Sequence, residues 1–388
     1  MDAHHGGPFV KIAVFSDVHI HDFREFSVAG PDGVPSRLRA CVSVLHDVRL
    51  YCQKHGIGVV VFGGDLFHRR GAIFTQAFNL VVVELALFKE AGITVLCVPG
   101  NHDQANRSGT IDAIEALADA GLVQAVNPTR GWVNWFLEDD AGDALLISGF
   151  GYTDSREIFL KRLDASTVEA NTLYPESLRV GIFHHGFRGA KVGPLLEYQV
   201  REEIDASELQ GHDFRRSFVG HYHQRQFIEG TDDLAMYIGS PLEHVRGDGG
   251  LEKGFLVYDS APDVWKLVPL KRPRFVKLTQ DLIDKTGKWT DVDIQAVVSG
   301  NFVDVVYEEL PVEWDVYAKT LLAVGAAGVK AVPIVKERKR AARLAIDTSL
   351  STQDILKKYI LYKKDSLAGM DEIELLKLGS HLASGSLK

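Results

Sequence analysis

Five apolar runs of this chain each break off at residues suited to holding metals. "VFSDVHIHD" places Asp17 and His19 after the first run, "VVVFGGDLFHRRG" places Asp65 and His68 after the second, and "VLCVPGNHDQ" places Asn101, His102 and Asp103 after the third. "VGIFHHGF" ends a fourth run on His184 and His185, and "SFVGHYHQ" ends a fifth on His221 and His223. Asp, Asn and His together offer the mixed oxygen and nitrogen donors that first-row divalent metals take. Read alone, Pro99-Gly100-Asn101 is ordinary turn chemistry; its repetition in kind at the other strand ends turns the reading toward a metal centre. Paired metals sit roughly 3.5 to 4 Å apart and need an anionic bridge, which Asp65 can supply, while Asn101 adds a neutral oxygen. With little protein charge at the metals, such a centre attracts a phosphoester and acidifies a water. His102, adjacent to a ligand but aimed elsewhere, is suited to stabilise or protonate the leaving side. In an extended chain residues two apart share a side, so Asp17 with His19, and His221 with His223, should each face one site.

The elements that must position these residues follow from periodicity. Strands are expected at residues 10–15, 57–62 and 93–98, alternating with helices at 36–55, 74–91 and 110–120. Ser36 reads as an N-cap, and Gly56, Gly92 and Gly121 read as helix stops. Successive strand, helix, strand units imply a parallel core. Further strands are expected at 132–137, 144–150 and 178–183, with a helical stretch from Ser155; after Arg216 come short strands at 218–220, 226–228, 235–238, 254–259 and 264–270. Two β-rich layers with helices outside is the simplest packing for this order.

Composition sets the outer bounds. The 388 residues, 46% hydrophobic and 24% charged, suit a folded chain of two or three domains. No run is long enough to span a bilayer and the start lacks the features of a signal peptide, so a cytoplasmic protein is expected. Cys41, Cys52 and Cys97 lie in apolar patterns without metal-type spacing and read as buried free thiols. The net charge of −9 argues against a broad basic surface, although carboxylates that bind cations contribute to it without repelling a phosphate. Nucleic acid is therefore not excluded.

Taken in order, DVH, GGDLFH, GNHD, HHG and GHYH resemble the calcineurin-like metallophosphoesterase signature. The histidine of GDLFH and the stretch "YIGSPLEHVRGDGGLEKGFLVYD" further resemble the SbcD-type nuclease subunit of the SbcCD double-strand-break repair complex, phage versions included. The resemblance covers residues 10–270. It implies an α/β fold: a two-layered β-sandwich flanked by helices, with a small α+β capping domain and a C-terminal helical tail. It implies that Asp17, His19, Asp65 and His223 hold one metal and Asp65, Asn101, His184 and His221 the other. The metals would be manganese, with magnesium as the alternative. His102 would be the catalytic histidine and His68 would position the DNA strand end. The doubled His184-His185 offers two candidates for one ligand, of which motif alignment selects His184. The implied activity is exonuclease action on duplex ends and endonuclease action on single strands, within a complex that pairs a nuclease homodimer with a coiled-coil ATPase of the SbcC kind. The alternatives are a stand-alone phosphodiesterase or phosphatase, and a metal-free scaffold that kept the fold.

Other residues read more plainly. His4 and His5 belong to a loose terminus, and His21, His46, His55, His212, His244 and His381 read as surface or internally satisfied histidines. Asp103 should fix its loop by accepting backbone amides. Arg69, Arg70, Arg107 and Arg188 flank the motifs as candidate phosphate contacts, with Lys191 and Arg225 beside them.

Lys271-Arg272-Pro273-Arg274 marks a joint, giving an expected division into a metallophosphoesterase domain (1–270), a capping domain (271–346) and a helical tail (347–388). In the capping segment, 275–278 and 302–306 read as strands around a helix at 317–324, and "VKERKRAARL" is its most basic stretch. The tail carries two short helical patterns, at 355–362 and 373–378, too small for a core of their own. The resemblance points them at the partner ATPase. The chain has no G-x-x-x-x-G-K-[ST], so any ATP dependence would come from that partner.

Overall fold

The computed structural model describes residues 10–106, 109, 111–138, 142, 144–191, 204–279, 292–308, 314–334, 356–360 and 375–376. Residues 1–332 form one compact unit and residues 333–388 another. In the first unit the alternation expected from the sequence produces strands β1 (Lys11–Phe15), β2 (Val59–Phe62), β3 (Thr94–Cys97) and β4 (Gln124–Ala125), separated by helices α1 (Ser36–His55), α2 (Thr75–Glu90) and α3 (Ala113–Asp119). A second series follows: β5 (Trp132–Glu138), β6 (Ala144–Phe150), helix α4 (Arg156–Leu173), β7 (Leu178–His184), β8 (Arg216–Gly220), β9 (Gln226–Phe227) and β10 (Ala235–Tyr237). Strands β11 (Gly254–Asp259) and β12 (Val264–Pro269) then return to the first series.

These strands make two six-stranded sheets, ordered β12-β11-β1-β2-β3-β4 and β5-β6-β7-β8-β10-β9. Strands β1 to β4 run parallel, as do β6, β7, β8 and β10, and the antiparallel strands β11, β12, β5 and β9 occupy the remaining positions. Side-chain alternation sorts the core. Ile12, Val14, Val61, Leu96 and Val98 pack with Ile147, Val180, Ile182 and Phe218 between the sheets. Their chain neighbours Ala13, Phe15, Val60, Phe62, Val95 and Cys97 face the opposite way, onto α1, α2 and α3. Each such buried aliphatic contributes about 1.5–3 kcal/mol. The fold is thus a two-layered sandwich with helices outside, as expected.

Several local expectations are corrected. Ser36 is not the cap of α1 but its first residue; Pro35, held extended at φ −59° and ψ 136°, precedes it, and the Ser36 hydroxyl accepts the Val28 amide instead. Gly56 does end the helix in a left-handed conformation at φ 65°. Helix α3 is shorter than the apolar pattern suggests because the Asp112 carboxylate caps it, accepting from Ile114 N and Glu115 N. The short strand β4 carries no period of its own and was not expected.

Strands β13 (Phe275–Thr279), β14 (Phe302–Tyr307) and β15 (Gly328–Pro333), all but Pro333 within the first unit, form a three-stranded sheet, with helices α5 (Val292–Val298) and α6 (Trp314–Ala323). Leu278, Ile294, Val298, Val303, Val305 and Leu321 make its own small core. Strand β15 and helix α5 add to the elements expected there. In the second unit, residues 356–360 and 375–376 are helical. The basic stretch at 335–344, and most of the tail, lie outside the described residues. Among the described residues no helix is long and apolar enough to cross a membrane. Cys41, Cys52 and Cys97 are buried and free.

Candidate metal centre

The C-terminal ends of β1, β2, β3, β7 and β8 lie along one rim of the sandwich, and the loops leaving them bring the marked residues together. The first loop is not extended. Asp17 (φ 55°) and His19 (φ 47°) are both left-handed, as are Asp65 (φ 59°) and His221 (φ 102°). The expectation that strand alternation aims Asp17 and His19 is therefore corrected: two left-handed residues, not a pleat, turn them inward. Each such residue costs roughly 1 kcal/mol or more. A backbone ladder between the first two loops offsets the cost, with Asp17 N donating to Gly64 O (2.8 Å), His19 N to Asp65 O (3.0 Å) and Ile20 N to Leu66 O (2.8 Å).

Asp65 stands at the middle. Its Oδ1 accepts the His102 amide at 2.8 Å, and its Oδ2 faces His184 Nε2 at 3.3 Å and His19 Nε2 at 3.6 Å. On one side, His19 Nε2 lies 3.1 Å from His223 Nε2 and 4.0 Å from Asp17 Oδ1. On the other, Asn101 Oδ1 lies 3.2 Å from His184 Nε2 and 3.0 Å from His221 Nδ1. Asp103 behaves as expected: its carboxylate accepts from Asp65 N (2.8 Å), Gly100 N (2.9 Å) and Phe67 N (3.0 Å), fixing the loop under Asp65.

The donor set fits a divalent cation. His184 Nδ1 donates to Gly63 O (2.7 Å) and His223 Nδ1 to an Asp248 oxygen (3.1 Å), so in the neutral rings both Nε2 atoms present lone pairs inward, that of His184 toward the oxygens of Asp65 and Asn101. Three groupings, Asp17–His19–His223, Asp17–Asp65–His184 and His19–His68–His102, have donor atoms near enough to share an ion. Electrostatics agrees. Burial pushes the His221 ring down to about 3 and His68 to about 4, leaving both neutral. Burial would depress His184 too, but the Asp65 and Asp17 carboxylates outweigh it and hold that imidazole up at about 9.

Glycines make the space. A Cβ on Gly64 would stand 2.3 Å from His184 Nδ1, and one on Gly100 would stand 2.2 Å from Asp65 Oδ1. Gly100→Ala should therefore displace the Asp65 carboxylate and cost about 1–3 kcal/mol of stability through overpacking. The expected result is a folded chain, by circular dichroism, with bound metal sharply reduced by elemental analysis; full metal content would disprove it.

Packing places the two adjacent histidines differently. His184 enters the cluster, whereas His185 lies between Tyr152 (ring centroids 5.5 Å) and Phe159 (4.5 Å) in the layer behind it. His102 Nδ1 donates to the His68 carbonyl at 2.6 Å, and the two rings stack with centroids 5.5 Å apart. His68 Nδ1 is 3.4 Å from His19 Nδ1. A cavity of about 370 Å³ opens over the cluster, lined by His19, His68, Asn101, His102, His221 and His223 together with Phe23, Arg24 and His244. Arg69 and Arg70 are exposed beside His68. Arg188, on the loop that leaves β7, pairs with Asp205 at 3.3 Å and is not among the residues lining the cavity. Arg107 lies outside the described residues.

Sequence reasoning missed three residues here. His244, read as an ordinary histidine, is 4% exposed; its Nε2 donates to Asp17 O at 2.9 Å and its ring stands beside His19 and His223. Asp248 holds His223, and buried Lys253 donates to His223 O at 2.8 Å. All three belong to the stretch after GHYH, which ends no strand and so gave no signal beyond its family likeness. A fourth, Arg24 in the cavity lining, likewise ends no strand.

A rim of carboxylates, an amide and imidazoles over the ends of two mostly parallel sheets defines a metal-dependent phosphoester hydrolase. The model for Calcineurin-like phosphoesterase matches residues 10–225, more than half of the chain, and the chain belongs to that family. The family works with divalent metals. The DNA double-strand break repair protein Mre11 of Methanopyrus kandleri is 25% identical over 325 residues, covering 79% of this chain and 67% of that protein. The protein of the same name from Saccharolobus solfataricus is 24% identical over 263 residues, covering 66% of this chain and 61% of its own length. The chain thus spans about two thirds of these relatives. A dimetal phosphatase from Danio rerio superimposes with a TM-score of 0.42 at 15% identity, covering 65% of this chain and 93% of that one.

Proposed function

We propose that this chain is a metal-dependent DNA nuclease, the SbcD-like subunit of a bacterial or phage end-processing complex. The observation that carries the reading is the placement of His68 and His102 side by side at the mouth of the cavity over the donor cluster. Likeness to two DNA double-strand break repair proteins supports it. Asp17, His19, Asp65 and His223 would hold one ion and Asp65, Asn101, His184 and His221 the other, with Asp65 common to both. Two divalent ions bound there, manganese first and magnesium second, would supply Lewis acidity to the phosphodiester and lower the pKa of the attacking water. His102, oriented through its Nδ1 by the His68 carbonyl, serves the leaving oxygen with its other ring nitrogen. Arg24, Arg69 and Arg70 contact flanking phosphates.

The test is cleavage of linear duplex DNA by the purified chain with manganese, beside hydrolysis of a small phosphodiester. Cleavage of DNA dependent on Asp65 supports the reading. Hydrolysis of the small ester with DNA untouched would favour a stand-alone phosphodiesterase instead.

His68 sits where it could position a strand end. His68→Ser keeps the carbonyl that orients His102, so the expected result is a loss of about 10- to 100-fold on duplex ends with nicking of flexible single strands largely kept. Equal losses on both substrates would refute positioning. The reading also assigns residues 271–346 to a cap that selects DNA ends and residues 347–388 to docking on a coiled-coil ATPase, in a heterotetramer built on a nuclease dimer. A chain truncated before residue 351 should keep its metals yet no longer co-elute with the ATPase in size exclusion; retained co-elution would show that the tail is not the principal docking element.

A further inference from the structure

The turn at residues 243–248 has two faces. Toward the cluster, Asp248 accepts from His223 Nδ1 (3.1 Å), and His244 Nε2 donates to Asp17 O (2.9 Å), holding the carbonyl of a left-handed residue. Asp248 also closes the turn on itself, accepting from His244 N at 2.8 Å and Val245 N at 3.2 Å. Toward the three-stranded sheet, Arg246 forms a double ion pair with buried Asp304 of β14 and another with Glu25 (2.9 and 3.1 Å). Glu243 accepts the Phe275 amide of β13 at 2.7 Å and pairs with Arg274. Phe26, next to Glu25, stacks on Phe302 of β14 at 5.2 Å. Six consecutive residues therefore hold both a metal-facing histidine and the edge of a separate small core.

We infer that the 243–248 turn is a positioning element that makes affinity at the Asp17–His19–His223 metal position depend on how the three-stranded sheet is seated. The inference rests on the metal-centre reading above. The cause is geometric. An imidazole ligand binds well only when its second nitrogen is held at the correct tautomer and angle, and loss of such a partner typically costs 10- to 100-fold in affinity. Here the partner, Asp248, stands two residues from Arg246, whose guanidinium is held by Asp304. Seating β14 sets Arg246, Arg246 sets the turn, and the turn sets His223 and the Asp17 backbone. The Asn101–His184–His221 position is tied to the turn less directly: His184 is held by Gly63 O inside the sandwich, and it is the His221 backbone amide, not its ring, that bonds Asp17.

The experiment is manganese titration of the full chain, by calorimetry and by the electron paramagnetic resonance signal of free manganese. Asp248→Ala should weaken one of the two sites 10- to 100-fold and leave the other within about threefold. Asp248→Asn, which keeps an acceptor for His223, should recover part of the loss. Arg246→Ala, which touches no proposed ligand, should weaken the same site by about 3- to 10-fold, and Arg246→Lys should weaken it less. Equal weakening of both sites, or a lower melting temperature with both constants unchanged, would make the turn merely structural and overturn the inference. Should Asp248→Ala fail to fold, Asp248→Asn and Arg246→Ala carry the same test. Wild-type protein that binds no manganese would instead overturn the metal-centre reading itself.

Discussion

Replacing Asp65 by asparagine is expected to lower manganese affinity at both positions by about 100-fold or more, with the fold intact. The reasoning starts from the carboxylate's two oxygens. Oδ1 is committed to the His102 amide, so Oδ2 is the oxygen left to face both His19 and His184. Asparagine is nearly isosteric but removes the negative charge that both metals would share, and charge rather than shape is what bridges two cations. The Asp65 amide would keep its bond to Asp103 and the loop its conformation. Elemental analysis and calorimetry of Asp65→Asn give the measure. Two metals per chain with ordinary affinity would show that Asp65 does not bridge.

His102→Ala should leave metal content unchanged and lower turnover by about 10²- to 10⁴-fold, the range for a positioned general acid or base. The hydrogen bond His102 gives Asp65 comes from its backbone amide, which alanine retains. Its ring is anchored on the His68 carbonyl rather than on the Asp65 carboxylate. The loss should fall on kcat with KM little changed, since the ring acts on the transition state. A variant depleted of metal would make His102 a ligand and remove the proposed role.

Much of the site could be read from the chain because its donor types stand where strands stop. In a mostly parallel sandwich, strand C-termini share a rim, so Asp17, Asp65, Asn101, His184 and His221 group together from the sequence alone. The means of aiming them could not. Left-handed Asp17 and His19 answer to hydrogen bonds from the second loop, and no period in "VFSDVHIHD" records those. His244, Asp248 and Lys253 were missed because they act through partners far away in sequence, from a turn with neither helical nor strand alternation. The sandwich itself followed from apolar periodicity, which encodes burial directly. Short elements such as β4, and the capping of α1 by a proline rather than Ser36, depend on neighbours and carry little local signal.

The ligand-bearing loops come from both layers of the sandwich: Asp17, His19, Asp65 and Asn101 leave the first sheet, while His184, His221 and His223 leave the second. A cation held between them is therefore also a staple across the seam. By linkage, an ion at 100 times its dissociation constant adds about 2.7 kcal/mol to the stability of the closed form. For a chain whose total margin is about 5–15 kcal/mol, two such ions are a sizeable share. Chelation would then do more than silence the chemistry. It would let the rim breathe, and amides of the five strand ends would exchange with solvent sooner than those at the opposite edge.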